Sequence, residues 1–217
     1  MKKHIVCLGD SNTHGYCADP TDCADGGSRF NEEERWTCLL QKALGEDYLV
    51  LEEGLSGRTT VFPDPCYEGA DALTYLYPCL VSHEPVSLLI IMLGTNDSRA
   101  IYSANAYNVA AGMRRLVNKA KATACWAGEP NILVVAPPPV GEGIDNSPYT
   151  VEMGPGGVYT SEHLAKYYAR IAEETGVHFL DAGQVCKFNE VDFMHLTRAE
   201  HKKLADHLAE LVPGLMR

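Results

Sequence analysis

Five short apolar runs recur along the chain, and each is separated from the next by enough residues for a helix. They are His4–Gly9, Tyr48–Glu52, Ser87–Leu93, Asn131–Ala136 and Val177–Leu180. The third reads Ser-Leu-Leu-Ile-Ile-Met-Leu with hardly a polar break, the pattern of a strand covered on both faces. Helical periodicity fills segments between and after the runs. In 103–123, Ala106, Val109, Ala110, Met113, Leu116, Val117 and Ala120 fall on one stripe at i, i+3, i+4, i+7 spacing. Leu164, Tyr168, Ile171 and Ala172 repeat it, as do Leu204, Leu208, Leu211 and Val212. The spacing of Thr197-Arg198-Ala199-Glu200 predicts a capping box at the start of the last helix.

Strand and helix alternating in this way predict an α/β fold. A parallel five-stranded sheet lies between two helical layers (αβα), in the flavodoxin-like order 2-1-3-4-5. No repeat, low-complexity tract or linker divides residues 1–217, so one domain is expected. Two segments, 16–32 and 137–157, show no period. Loops of that length usually carry function or touch a partner subunit. Pro137-Pro138-Pro139 stiffens the start of the second. Tyr149, Met153 and Tyr159 give it apolar side chains, and self-association into a homo-oligomer through it is the expectation.

Composition narrows the function. Lys and Arg number 18 against 29 Asp and Glu, a net charge of −11, which opposes nucleic acid and anionic membrane surfaces as partners. No apolar run approaches the roughly 20 residues of a membrane span. The first run stops at Asp10, too short for the core of a signal peptide. Eight cysteines contain no C-x-x-C pair, and several sit inside apolar runs, where a free thiol behaves as a small hydrophobe. A reduced, cytoplasmic protein is expected. The histidines are scattered without ligand spacing to a third partner, so neither metal nor cofactor is called for.

In an open α/β sheet the chemistry lies beyond the carboxyl ends of the strands. Gly9-Asp10-Ser11-Asn12-Thr13-His14-Gly15 follows the first run and Gly54-Leu55-Ser56-Gly57-Arg58-Thr59-Thr60 the second. Gly94-Thr95-Asn96-Asp97-Ser98 follows the third, and Asp192-Phe193-Met194-His195 precedes the last helix. Taken singly, Ser11 reads as a helix cap, Gly57 as a turn glycine, Asn96 as an Asx-turn residue and His195 as a loop histidine. Together they set a nucleophile, small-residue and amide donors, and an acid–histidine pair on one edge. Three-residue spacing lets Asp192 reach one nitrogen of His195 while the other faces the sheet. Asp181, at the end of the fifth run, is the rival acid.

These four blocks resemble those of the SGNH (GDSL-type) hydrolases, in the same chain order, and the similarity is closest to the bacterial arylesterase/acyltransferase-like branch. Gly9-Asp10-Ser11 matches the nucleophile block, although Asn12 stands where the family has Leu. Leu55-Ser56-Gly57-Arg58-Thr59, Gly94-Thr95-Asn96-Asp97 and Asp192-x-x-His195 match the other three, and order and spacing agree from residue 4 to about 212. The resemblance implies an esterase acting on a small-molecule ester through an acyl-serine. Ser11 would be the nucleophile, His195 the base and Asp192 its orienting acid, with an oxyanion hole from Ser11, Gly57 and Asn96. Asp10, Asn12 and His14 are candidates for the pocket, His14 standing where related sequences often carry Trp. Asp10 and Asp97 are also expected to brace their loops, with Arg58 pairing one of them, and His201 to be a surface or packing residue. An alanine at Gly57 is expected to be tolerated better than a valine. The resemblance leaves open acyl transfer or thioester hydrolysis by the same intermediate. A flavodoxin-like binding module, with 11–15 as a phosphate loop, is the reading outside enzymes. Lacking any lid-like segment, the chain points to short acyl groups, acetyl above all.

Overall fold

The computed structural model describes residues 1–216. Five parallel strands, β1 (Lys3–Gly9), β2 (Tyr48–Gly54), β3 (Val86–Met92), β4 (Ile132–Ala136) and β5 (His178–Asp181), lie in the order β2-β1-β3-β4-β5, as the alternation predicts. Gly9 of β1 stands level with Gly54 of β2 and Met92 of β3, so three chain segments leave the sheet at one height.

The helices are α1 (Ser11–His14), α2 (Trp36–Leu44), α3 (Ala72–Ser82), α4 (Ala106–Ala122), α5 (Thr150–Met153), α6 (Gly157–Thr175) and α7 (Arg198–Leu215). One core gathers residues of α3, α4 and α6, the other residues of α2 and α7. β3 explains its unbroken apolar sequence by serving both: Leu89 and Ile91 enter the first core, Leu88, Ile90 and Met92 the second. Each such side chain, fully buried, contributes about 1.5–3 kcal/mol.

Local chemistry sets several boundaries. Asp71 caps α3 by accepting the Thr74 N–H at 2.8 Å, although Pro78 interrupts that helix's pattern. Only half of the capping box at α7 forms: Thr197 accepts the Glu200 N–H, while the Glu200 carboxylate accepts from Lys187 N–H and Lys203 instead. Segment 137–157 is less open than its sequence suggests. It holds a 3-10 turn at Glu142–Asn146 and α5, and Gly157 already belongs to α6. Met153 is buried against the bare backbone of Gly157, where a Cβ would come within 2.4 Å, and among the large apolar side chains Val151, with Tyr159 just beyond in α6, stays largely exposed.

His201 proves to be a packing residue with no exposure, its Nδ1 accepting the Trp36 N–H at 3.3 Å and its ring edge-on to Phe30. Burial first, and the nearby charge of His195 second, push it down to about 3, so it stays neutral. The unfolded chain takes up a proton near 6.5 that the folded chain refuses until about 3, so stability is lost as pH falls through that window. Urea unfolding of the wild type and His201→Gln from pH 7 to 4 is expected to differ by up to one proton, a relative slope of at most about 1.4 kcal/mol per pH unit. Identical slopes would remove His201 from the acid response.

Candidate active site

The nucleophile block owes its geometry to two missing side chains. A Cβ on Gly9 would lie 2.0 Å from Thr13 Oγ1, and one on Gly54 would lie 2.2 Å from the His14 nitrogen, so α1 rests directly on the strand ends. Asp10 caps this helix, accepting the Asn12 N–H at 2.9 Å. Ser11 Oγ then meets His195 Nε2 at 2.8 Å, and His195 Nδ1 meets Asp192 Oδ2 at 2.6 Å. The three side chains are nearly buried and form one line of hydrogen bonds.

The loop bearing Asp192 and His195 is held from three sides. Asn189 accepts the Val191 and Asp192 N–H groups and donates to Asp192 Oδ1 and the His195 carbonyl. Asn12 donates to the Met194 carbonyl at 3.1 Å and accepts the Leu196 N–H at 3.0 Å. From segment 137–157, Gly141 donates its N–H to the Phe193 carbonyl at 2.9 Å. Burial disfavours ionisation of Asp192. The His195 hydrogen bond and charge, with the Met194 N–H and Asn189, outweigh that and hold the carboxyl below its ordinary range. Asp181, the rival acid, bonds elsewhere: it caps the turn after β5, accepting the Gly183 N–H, while Asp192 is the carboxylate on His195.

Gly57 and Asn96 come from different strand ends and share one cavity of about 170 Å³ with Ser11 and His195. Gly57 has φ +82°, and a Cβ there would meet nothing nearer than the Tyr67 ring at 3.9 Å. The constraint is therefore conformational rather than steric: any side chain is strained there, a β-branched one such as valine most. Asn96 donates to the Arg58 carbonyl at 3.1 Å and lies 3.5 Å from Asp10 Oδ2. Asp97 braces this arrangement by accepting the Thr60 N–H at 2.9 Å together with the Thr60 hydroxyl, tying the Asn96 turn to the Gly57 loop. Burial pushes both Asp10 and Asp97 up to about 6, against the hydrogen bonds they accept.

Arg58 forms a salt bridge with neither aspartate. Its guanidinium donates to the Gly9 and Glu53 carbonyls and lies over the Tyr75 ring, locking the ends of β1 and β2 together. Asp10 and Asn12 stand behind the cavity rather than in its wall, and His14 does not line it either. The wall is made instead by Ser56 and Met194 from within the blocks and by Tyr16, Tyr67, Arg99, Tyr149 and Glu152 from outside them. Tyr16 and Tyr149 sit in the two segments without a period and Tyr67 in the loop between β2 and α3, so no periodic signal could have marked them.

The scattered histidines also find company that spacing alone does not reveal. Glu53, Cys79 and His83 place ligand-type atoms within 4.8 Å of one another. They are engaged internally: His83 Nε2 bonds Glu53 Oε1 at 2.5 Å, and the Tyr75 hydroxyl donates to Glu53 Oε2 at 2.7 Å. Burial pushes the Cys79 thiol up to about 12, so its sulfur stays protonated.

The sequence matches the GDSL-like lipase/acylhydrolase family over residues 7–207, and the chain belongs to that family, a family of carboxylic ester hydrolases. A native aryl esterase from M. smegmatis is 38% identical, with TM-score 0.88, over 98% of this chain and 99% of that one. A carbohydrate acetylesterase from Sinorhizobium meliloti is 34% identical, TM-score 0.88, over 99% and 100%. A putative arylesterase from Agrobacterium tumefaciens is 33% identical, TM-score 0.83, over 98% and 99%. No curated protein sequence matches the chain significantly. Family membership displaces the flavodoxin-like binding module.

Replacing Asn12 by alanine leaves the Met194 carbonyl and Leu196 N–H without their buried partner. A loss of about 1–3 kcal/mol in unfolding free energy is expected, read by urea denaturation. Esterase turnover should fall further than the folded fraction does. Wild-type stability in Asn12→Ala would show that the His195 loop is held without it.

Proposed function

We propose that the protein hydrolyses short-chain carboxylic esters, acetyl esters first, through an acyl enzyme on Ser11. The carrying observation is the buried Ser11–His195–Asp192 line opening into the same small cavity as Gly57 and Asn96. A serine hydroxyl is a weak nucleophile at neutral pH and needs an adjacent base. His195 Nε2 takes the Ser11 proton as Oγ attacks the carbonyl, and later returns it to the departing alcohol. Asp192 fixes the tautomer and stabilises the imidazolium. Water, deprotonated by the same imidazole, then cleaves the acyl-serine.

The oxyanion that forms in each half is received by the Ser11 and Gly57 backbone N–H groups and by the Asn96 amide. Asn96 spends one amide hydrogen on the Arg58 carbonyl at 3.1 Å, and among the described residues that amide nitrogen's other contact is the long one, 3.5 Å, to Asp10. That leaves a donor for a developing charge. A cavity of about 170 Å³ is close to the engineered cavities of about 150 Å³ that take benzene, room enough for an acetyl or butyryl group. Among the named relatives, one is an aryl esterase and another a carbohydrate acetylesterase, so aryl and sugar acetates are the alcohols to try.

Two coarser properties belong to the same reading. No described helix is long and apolar enough to cross a membrane, and eight free cysteines suit a reducing cytoplasm. Exposed Val151 and Ile101 lie in one groove with half-exposed Tyr67, which supports self-association; sedimentation as a clean monomer at micromolar concentration would dispose of it.

The test is hydrolysis of p-nitrophenyl acetate, butyrate and octanoate by wild type, Ser11→Ala and Asn96→Ala. Acetate should be cleaved best and Ser11→Ala should fall to background. Asn96→Ala should lose about 10²–10³ in kcat with the fold intact. Wild-type rates in Ser11→Ala would refute the acyl-serine, and wild-type rates in Asn96→Ala would take that residue out of the oxyanion hole.

A further inference from the structure

We propose that Tyr16 and Tyr149 are positioning residues for His195, two rings that lean on the imidazole and keep it on the line between Asp192 and Ser11. The proposal rests on His195 being the general base.

Two hydrogen bonds define an axis through the His195 ring but leave it free to roll about that axis. The bond to Ser11 is also lost once Oγ is acylated and Nε2 serves the departing alcohol or the incoming water. The ring must then be held by what packs on its faces. The Tyr16 ring lies 4.5 Å from the imidazole, centre to centre, tilted by 51°, and the Tyr149 ring lies at 6.4 Å, nearly edge-on at 68°. These spacings are those of favourable aromatic pairs, worth about 0.5–1.5 kcal/mol beyond burial. The neighbouring Tyr16 hydroxyl, before burial, pushes the Tyr149 phenol up and keeps it protonated.

Both rings rest on a fixed backbone. The Tyr16 N–H donates to the Ser11 carbonyl at 2.9 Å, so its position is set by the nucleophile's own turn. Tyr149 donates its N–H to Ser147 Oγ at 3.1 Å and accepts the Met153 N–H at 2.9 Å. Its segment is also anchored to the base loop. Phe193, at φ +62°, packs against Gly141 and Gly143, where added Cβ atoms would come within 3.0 Å and 2.3 Å of its ring. Tyr16 opens one aperiodic segment and Tyr149 lies within the other, and both rings pack on His195.

A wall residue and a positioning residue predict different kinetics, since both tyrosines also line the cavity. Loss of a wall changes KM. Loss of positioning lowers kcat and alters the Asp192–His195 hydrogen bond itself. In Tyr16→Leu and Tyr149→Leu, kcat on p-nitrophenyl acetate is expected to fall about ten- to a hundredfold with KM little changed, the scale on which small misplacements act. The low-field proton resonance of His195 Nδ1 should move upfield or broaden, and the acid limb of kcat/KM should shift. Tyr16→Phe and Tyr149→Phe, which restore the ring alone, should recover most of the loss, and the double Leu variant should lose less than the product of the singles. Methionine replaces leucine where a variant does not fold. Leucine or methionine variants with wild-type kcat and an unmoved Nδ1 proton, or with changes in KM alone, overturn the proposal and leave the rings as pocket wall. Hydrolysis surviving in Ser11→Ala is a separate result that removes the general-base reading beneath it.

Discussion

The amide of Asn12 is the contact on which the candidate site depends, because it joins two parts of the chain 182 residues apart. Its nitrogen and oxygen each hold one backbone group of the loop that carries His195. Asn12 can reach that loop only because α1 lies on the strand ends, which the bare Gly9 and Gly54 allow. A side chain at either glycine would lift the helix, and the 2.8 Å contact of Ser11 with His195 would go with it. At position 12 this chain thus carries a nearly buried amide bonded through both its nitrogen and its oxygen, and the Asn12 backbone carbonyl accepts from the Trp36 indole.

Three aspartates lie around the site with almost equal burial, and their surroundings separate them. Asp192 receives hydrogen bonds from His195, Asn189 and backbone N–H groups, enough to hold a charge in place without water. Asp10 and Asp97 accept fewer bonds and are pushed up to about 6 by burial. That division suits their contacts. A carboxylate that must stabilise an imidazolium has to remain charged, whereas one that braces a loop has only to accept N–H and O–H groups. Arg58 completes the bracing through carbonyls rather than carboxylates, so neither Asp10 nor Asp97 is tied up in an ion pair with it.

The sheet order was legible in the sequence because β3 is apolar throughout and the other runs alternate with helix-length segments. The four blocks were legible because strand ends of an open sheet converge, so residues after the runs had to share an edge. Side-chain direction was not. Asp10, Asn12 and His14 adjoin Ser11 in sequence, but a single helical turn sends each neighbour elsewhere, and none enters the cavity wall. Arg58 could be paired on paper with either aspartate; its real acceptors are backbone carbonyls, which carry no letter in the sequence. Glu53, Cys79 and His83 escaped notice for a related reason, since β2 and the end of α3 meet only after folding. The tyrosine wall comes from loops, where position is set by many weak contacts rather than by a period.

A parallel sheet supplies reactive groups from its carboxyl edge, but it cannot cover them from above. Each strand end points its side chain up, and nothing in the layer itself faces back down. Covering must come from excursions long enough to fold over the edge, and in this chain they are 16–32 and 137–157. The second is pinned by its 3-10 turn, by α5 and by Phe193 lying on two glycines, so it is a built wall rather than a loose flap. The enclosed volume then follows from how closely that wall can approach His195. Tyrosine is well suited to the place, because its ring packs on the imidazole while its hydroxyl keeps a polar partner. A larger cavity would need the wall moved back, and moving it would uncover the ring that it supports.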